Sequence, residues 1–547
     1  RLAGGRSWLH GVTYDQNQPL AAVFARIIRE DGSVAEFEES GTIGFSELPA
    51  QPLGMLGAWA KVGDDFAMLT TSGAVAAVAP TSNHLPSASA TDHVLDLGSP
   101  TLTHDVTVAS LAGRSLGELN AEINLGGRLL TVLSGGVSQT HPIRAGRLTA
   151  GAGLPAELVV YSTSEISADI VDNSAEGSVG LTVTGSGTAL SGSNSYTGAT
   201  WVIDATLTIA ARSAIPLHNR VNIDGGIYDT RALDGDPIQL DELRLLGNGA
   251  VHGRDALLDV HAISLESGSL SAPLGGNGNL LKTGGGTAQI PTLSSGSLPD
   301  SFTGQIVVQE GELSVGQRFT NSAAQFVAEG GLLTLARGPS TPVVLRGGAL
   351  AGVLQNATVQ VEAPSTLVGL GVTRLDGPLS GSSDLHITGR QSAELRSQHV
   401  GLYADSPEYS GDLHVDSGRL VLAATQAAGS GAVWVEEGAQ LVIAAGSNGA
   451  RGLAIHNDIR LRGGSLEAVT PLVSFPSGMP PIHVGGDVYV DELAFVGAER
   501  IGGVPNFDAS PGLTLDGRVY LGDQATVFGV TPRFATATTR AAESLVE

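Results

Sequence analysis

Two groups of acidic residues are the first candidates for chemistry in this sequence. The groups are Asp224, Asp229, Asp234 and Asp236, and Asp405, Glu408, Asp412 and Asp416. Clustered carboxylates can cleave polysaccharides, and carboxylate oxygens are ligands for calcium. The first group lies in turn-like sequence and the second flanks a turn. We therefore expect solvated loops, with calcium binding as the alternative, and assign no catalytic residue.

The histidines, a serine and the glycine-rich segments offer further candidates. None of the thirteen histidines is spaced as in the metal-binding His-x-x-x-His pair, and His386 and His414 are expected to face outward from strands. Ser417 lacks the preceding glycine of a nucleophile motif, so we expect a corner. No helix follows the glycines at 275–278 and 284–286 to hold a phosphate. We assign no metal or cofactor site, and folding should need neither.

The composition restricts the class of protein. Glycine accounts for 75 of 547 residues, hydrophobic residues for 42% and aromatic residues for 4%, which is typical of a folded chain with many tight turns. The absence of cysteine excludes disulfides, and the net charge of −25 argues against nucleic acid as a partner. No apolar run is long enough for a transmembrane segment. The start at Arg1, without Met or a signal-peptide core, predicts a piece of a longer chain.

Short stretches of alternating apolar and polar residues recur from about residue 98 to about residue 530, which predicts strands. They include a long internal repeat with three aromatic hooks, which lie 106 and 107 residues apart at 196–198, 302–304 and 409–411. Apolar residues follow each hook at fixed distances: Val202, Val308 and Val415, then Leu207, Leu313 and Leu420, then Ile209, Val315 and Leu422. We expect them to point into one continuous core. Insertions before the second and third hooks predict loops at 287–300 and 390–407. If the chain is a binding protein, these loops and the segment 212–220 would contact polysaccharide or another cell.

Two segments carry a family resemblance. They are Leu280-Leu-Lys-Thr-Gly-Gly-Gly286 followed by the hook at 302–304, and Thr184-Gly-Ser-Gly187 followed by Leu190-Ser-Gly-Ser-Asn-Ser-Tyr-Thr-Gly198. They resemble the autotransporter-associated β-strand repeat, which occurs in tandem in large exported bacterial surface proteins. The resemblance covers residues 176 to 445 best. It implies an all-β fold, a right-handed parallel β-helix or solenoid, in which coils stack because none can bury a core alone.

The resemblance and the patterning together predict three regions. Residues 1–97 form an N-terminal portion of irregular solenoid coils, with a separate small domain as the alternative. Residues 98–530 form the β-helix with its three long repeats, and residues 531–547 form a polar tail. The hook aromatics Tyr196, Phe302 and Tyr409 are expected to plug corners, and a sugar-stacking ladder is the alternative.

The functional prediction is an extracellular structural or adhesive protein of a bacterial cell surface, and not an enzyme. It would belong to a filament, sheath, surface layer or adhesin stalk. The alternative is a β-helix protein that binds or degrades polysaccharide. Unpaired strand edges at the end coils of a solenoid predict homotypic self-association or a longer assembly. Surface polysaccharide is a further candidate partner.

Overall fold

A computed structural model describes the greater part of the chain. The described residues are 6–9, 22–24, 29, 32–37, 43–45, 51–72, 74–96, 98–113, 121–138, 141–161, 165–235, 237–319, 323–389, 399–444, 453–469, 482–491, 494–498, 513–522, 527–528 and 533–534. They divide into two compact units. The first unit contains residues 1–278 and 293–300, and the second contains 279–292 and 301–547.

Each unit is a parallel β-solenoid, so the all-β prediction is confirmed, while the handedness of the coil stays a prediction. Among the described residues, helix is limited to short 3₁₀ turns at Pro52–Gly54, Leu85–Ser87 and Arg212–Ala214. None of these turns could span a membrane. One coil takes 20 residues between Asp412 and Ala432 and 29 between Asp458 and Asp487.

The first unit stacks its strands in three parallel rows. The first row is His93–Leu95, Ser110–Ala112, Gly136–Ser138, Ala156–Val160, Val179–Thr184, Thr200–Ile203, Asn219–Asp224, Ile238–Leu246, Leu258–Leu265 and Leu274–Gly275. The second row is Ile123–Asn124, Ile143–Arg144, Glu165–Ile166, Thr188–Leu190, Thr206–Ile209, Ile227–Asp229, Ala250–His252 and Gly268–Leu270. The third row is Val106–Val108, Leu129–Val132, Arg147–Ala150 and Asp169–Ile170.

The N-terminal part of the first unit has its own small sheets. Its strands are Arg6–Leu9, Val34–Phe37, Ala60–Val62, Asp65–Leu69 and Val75–Ala77, with Ala22–Phe24 beside Ile43–Phe45. The last three strands of the larger sheet are antiparallel, which the sequence analysis did not foresee. Val34 and Ala58 pack with Val159 and Ile203 of the first row. The boundary at residue 97 stays a prediction.

The second unit begins with two rows and continues with more. One row is Asn279–Lys282, Gln305–Val308, Gln325–Ala328, Val343–Arg346, Val359–Ala363, Leu379–Gly381 and Glu408–Tyr409. The next is Thr287–Ile290, Glu312–Val315, Leu332–Leu335, Ala349–Leu354, Ser365–Gly369, Leu385–Gly389, Leu413–Val415, Val433–Val435, Ile459–Leu461, Val488–Val490 and Val519–Leu521. The later rows are Val372–Leu375, His399–Leu402, Arg419–Leu422, Gln440–Ala444, Ser465–Val469, Ala494–Ala498 and Val527–Phe528, and Ala454–Ile455, Ile482–Val484, Leu513–Leu515 and Arg533–Phe534.

The extra row arises where one strand forks. The first half of Ala349–Leu354 pairs with Ser365–Gly369, and its second half pairs with Val372–Leu375. Because of the fork, strands of the third copy of the long repeat lie one row away from the equivalent strands of the second copy. Pairing runs from Leu313 through Leu333, Leu350, Leu367 and Ile387 to Val415. Pairing from Val308 runs through Ala328, Leu345, Val361 and Gly381 to Tyr409.

The predicted inward residues are fully buried. Val202, Val308, Val415, Leu207, Leu313 and Leu420 all have a relative exposure of 0%. Their burial follows from strand alternation, which sends every second side chain inward. Val308 and Val415 hold equivalent positions in the sequence repeat but lie in different columns, because the fork places Val415 in the column of Leu313.

Two predicted loops contain strands. The segment 287–300 begins with the strand Thr287–Ile290, and the segment 390–407 contains His399–Leu402. Residues 390–398 and almost all of the predicted tail, 531–547, lie outside the described residues. The segment 212–220 begins with a 3₁₀ turn and exposes Leu217, consistent with a surface connection.

A buried lysine closes one corner of the second unit. Lys282 occupies an inward position, pairs with Val308 along the sheet and has a relative exposure of 0%. Its Nζ donates to the carbonyl oxygens of Thr283 and Gly284, both at 2.7 Å, and of Glu310 at 3.0 Å. Gly311 adopts a φ of 63° beside this ammonium group, where a Cβ would collide with backbone oxygens. The lysine therefore satisfies carbonyl groups that the turn leaves unpaired.

We expect Val308→Asp to lower the free energy of unfolding by more than about 3 kcal/mol, because it places an unpaired carboxylate in the core. Val307→Asp is the matched control, since Val307 is adjacent and half-buried, and its cost should stay near 1 kcal/mol. Chemical denaturation followed by circular dichroism measures both. Equal losses for the two variants would contradict the assigned strand alternation.

Lys282→Met should destabilise the second unit by about 2 kcal/mol or more, because buried carbonyl groups lose a charged donor while the side-chain volume is nearly kept. Gln289→Met, at an exposed position of the next strand, is the control and should change little. The readout is the midpoint of thermal unfolding. A Lys282→Met protein as stable as the control would show that water replaces the ammonium group.

Candidate functional site

The outer face of six consecutive strands in the second unit carries large planar side chains. In each strand one such residue points outward while its two neighbours point inward, so the six outward residues lie above one another. We call them the outer ladder: His386, His414, Trp434, Arg460, Tyr489 and Tyr520. The ladder exists because parallel pairing sets equivalent side chains about 4.8 Å apart.

The members of the outer ladder stack on one another. The ring centroids of His386 and His414 are 4.9 Å apart, and those of His414 and Trp434 are 5.8 Å apart. The Arg460 guanidinium lies 4.5 Å from the Trp434 ring and 4.8 Å from the Tyr489 ring. Tyr489 and Tyr520 stack at 4.7 Å. Stacking occupies the ring faces inside the ladder, so those faces are not available to a sugar.

An aspartate row runs beside the outer ladder, two residues before four of its six members, while Ala432 and Arg518 precede the other two. Its members are Asp384, Asp412, Asp458 and Asp487. Oδ1 of Asp384 accepts the N–H of Asp412 at 3.1 Å, and Oδ1 of Asp412 accepts the N–H of Ala432 at 2.8 Å. Asp458 and Asp487 accept the N–H of the next coil in the same way, at 3.0 and 2.9 Å. One oxygen of each carboxylate therefore links two coils.

The Oδ2 atoms of nearby aspartates face the ring nitrogens of the outer ladder. Trp434 Nε1 donates to Asp412 Oδ2 at 3.0 Å. His414 Nε2 lies 3.9 Å from Asp384 Oδ2, and His386 Nδ1 lies 2.9 Å from Asp416 Oδ2. The His386 and His414 side chains are 40% and 24% exposed, so both histidines face outward as predicted. This surface can donate and accept hydrogen bonds or offer ligands to a cation.

Within the described part of the chain, the first acidic group does not bring three potential ligand atoms together. Burial raises the pKa of Asp224, and the charges of Asp204 and Glu266 raise it further. Burial also acts on Asp229, but the three hydrogen bonds and the charge of Arg231 outweigh it and hold its pKa below the usual range. Asp234 is exposed, and Asp236 lies outside the described residues.

The second acidic group is also divided. Asp405 Oδ1 accepts the N–H of Gln426 at 2.7 Å, and Glu408 is exposed on a separate strand. Asp412 belongs to the aspartate row and Asp416 pairs with His386. Ser417 exchanges hydrogen bonds with the backbone of Gly389, so this serine occupies a corner as predicted.

The hook aromatics are buried, which excludes the sugar-stacking alternative and confirms their role as corner plugs. Tyr196, Phe302 and Tyr409 have relative exposures of 2%, 0% and 0%. The Tyr196 hydroxyl bonds to the Thr200 hydroxyl at 2.7 Å, and burial raises the pKa of Tyr196. The Tyr409 hydroxyl donates to the carbonyl oxygen of Ser383 at 3.0 Å.

The sequence analysis missed Asp384 and most of the outer ladder. A signal was present, because the tripeptide Asp-Leu-His occurs at 384–386 and again at 412–414. The 28 residues between them correspond to one coil. Trp434, Arg460 and Tyr489 carried no such repeated motif.

No protein-family model, curated protein or solved structure matches the chain.

The pKa of Asp224 is raised and that of Asp229 is lowered, so ionisation of the two carboxyl groups should change the stability of the fold in opposite directions. Asp224→Asn should raise the midpoint of thermal unfolding at pH 7. The raised pKa of Asp224 means that the fold disfavours the charged carboxylate, and this destabilisation appears as pH rises through that pKa. Asp229→Asn should lower the midpoint at pH 7, because a depressed pKa gives stability that is lost as pH falls. The Asp224 difference should vanish below about pH 3, where its carboxyl group is protonated in both states, and the Asp229 difference should shrink as pH falls from the unfolded pKa through the depressed folded pKa. Scanning calorimetry at the two pH values tests this, and shifts of equal sign would contradict it.

Proposed function

We propose that this chain is a structural and adhesive element of a bacterial cell surface, which holds a repeated outer face in place rather than turning over a substrate. The observation that carries the proposal is that the carboxylates of the aspartate row bond to the backbone. Each member of the aspartate row accepts a backbone N–H from the next coil. These groups therefore hold coils together, whereas catalytic carboxylates would converge on one reacting centre.

The outer ladder supplies the adhesive surface in this proposal. It repeats from coil to coil, and it contains the residue types that dominate binding energy at interfaces, namely Trp434, Arg460, Tyr489 and Tyr520. Tyr520 is 37% exposed and Arg462, which lies over Trp434, is 46% exposed. A partner with its own repeat would meet equivalent groups on successive coils. A second copy of the chain and an extended polymer both satisfy this condition.

Polysaccharide is the second candidate partner. Sugar hydroxyls both donate and accept hydrogen bonds, so they complement a row of carboxylate oxygens beside N–H and O–H ring edges. The stacked rings favour hydrogen bonding along the ladder over stacking of sugar rings. The location outside the cell rests on the sequence resemblance and on the absence of cysteine.

Beads coated with the full chain test the proposal. Wild-type beads should clump or adhere to polysaccharide-coated surfaces. The double variant Arg460→Ser and Tyr489→Ser should weaken adhesion at least tenfold, because each side chain is of a type that contributes about 2 kcal/mol at an interface and 1.4 kcal/mol is a factor of ten. The control is Gln305→Ser with Gln325→Ser, a bonded pair of exposed residues in another row.

Three results would overturn the proposal. They are wild-type beads that neither clump nor adhere, equal loss of adhesion in the ladder and control variants, and turnover of a polysaccharide panel by the purified chain.

A further inference from the structure

We infer that Asp384, Asp412 and His414 form a binding site for one divalent transition-metal cation. Each residue offers one ligand atom, and these atoms all lie within 4.8 Å of one another. The three side chains are half-buried on the outer face of two adjacent coils. The inference goes beyond the proposed function. His414 lies on the surface proposed to be adhesive, but the site concerns a cation and is tested without a surface partner.

The donor set indicates the class of cation. Two carboxylate oxygens and one imidazole nitrogen suit zinc and its first-row neighbours, whereas calcium and magnesium favour sites built from oxygen alone. Three protein ligands leave at least one coordination position for water. In an ideal tetrahedral site with bonds of about 2.1 Å, the donors lie about 3.4 Å apart. The side chains must therefore close by roughly 1 Å, which surface side chains can do by small rotations.

The strands bring the donors together through their register. Leu385 pairs with Leu413, and His386 pairs with His414. Asp384 and Asp412 precede these strands on adjacent coils, and His414 follows Asp412 by two residues, so all three point outward from the same side of the sheet. His414 Nε2 already lies 3.9 Å from Asp384 Oδ2, too far for a hydrogen bond and within the span that a cation bridges.

Neighbouring groups hold each donor in place. Asp412 accepts Trp434 Nε1–H at 3.0 Å and the Ala432 N–H at 2.8 Å, and Asp384 accepts the Asp412 N–H at 3.1 Å. Carboxylate oxygens have several lone pairs, so these bonds leave room for a metal. The His414 ring is fixed between the rings of His386 and Trp434. Such supporting contacts around the ligands are typical of metal sites in proteins.

Titration of the full chain with ZnCl₂, after dialysis against a chelator, tests the inference by calorimetry. Wild type should bind one more equivalent of zinc than either Asp384→Asn or His414→Gln, or bind that equivalent at least tenfold more tightly. His483→Gln is the matched control, because His483 pairs with Asp516 at 2.7 Å in another row. Among the described residues, that pair belongs to no group of three potential ligands.

A second readout uses Trp434, whose indole contacts both His414 and Asp412. CoCl₂ should quench part of the tryptophan emission of the wild type, and chelator should restore that emission. This quenching should be absent from Trp434→Phe and from Asp384→Asn. Unchanged circular dichroism confirms that the variants fold. Zinc binding that is equal in wild type, Asp384→Asn and His414→Gln would overturn the inference, as would a lack of saturable binding.

Discussion

Parallel hydrogen bonding between successive coils is the constraint on which the rest of this structure depends. A strand with two inward residues buries little surface alone, so each coil is stable only when neighbours complete its hydrogen bonds and cover its apolar side chains. The same register acts outside the core. It sets Leu413 above Leu385 on the inside and His414 above His386 on the outside. The outer ladder and the aspartate row are therefore consequences of core stacking.

Burial could be predicted from sequence because it depends on local alternation. Val308 and Leu313 have the pattern of inward residues, and both are buried. The column to which each belongs could not be predicted, because it depends on how many strands each coil contains. The fork at Ala349–Leu354 adds a row between the second and third repeats. Counting residues from an aromatic hook cannot detect a change of this kind.

The candidate site was partly visible in the sequence. Asp412 and His414 were singled out for separate reasons, but their proximity to Asp384 requires the length of one coil, which is 16 residues between Val343 and Val359 and 31 between Val488 and Val519. Lys282 shows a second limit. A lysine at an inward position conflicts with the usual rule that charges face solvent, and its place in the core makes sense once the turn carbonyls that it caps are known.

The fork at Ala349–Leu354 also affects how such a chain diversifies. One strand of six residues pairs with two strands on the following coil, which adds a row. A copy of the repeat that follows the fork therefore lies in a different row from the copy that precedes it within the second unit. Duplication of a coding segment can therefore create new surface while it preserves the old core.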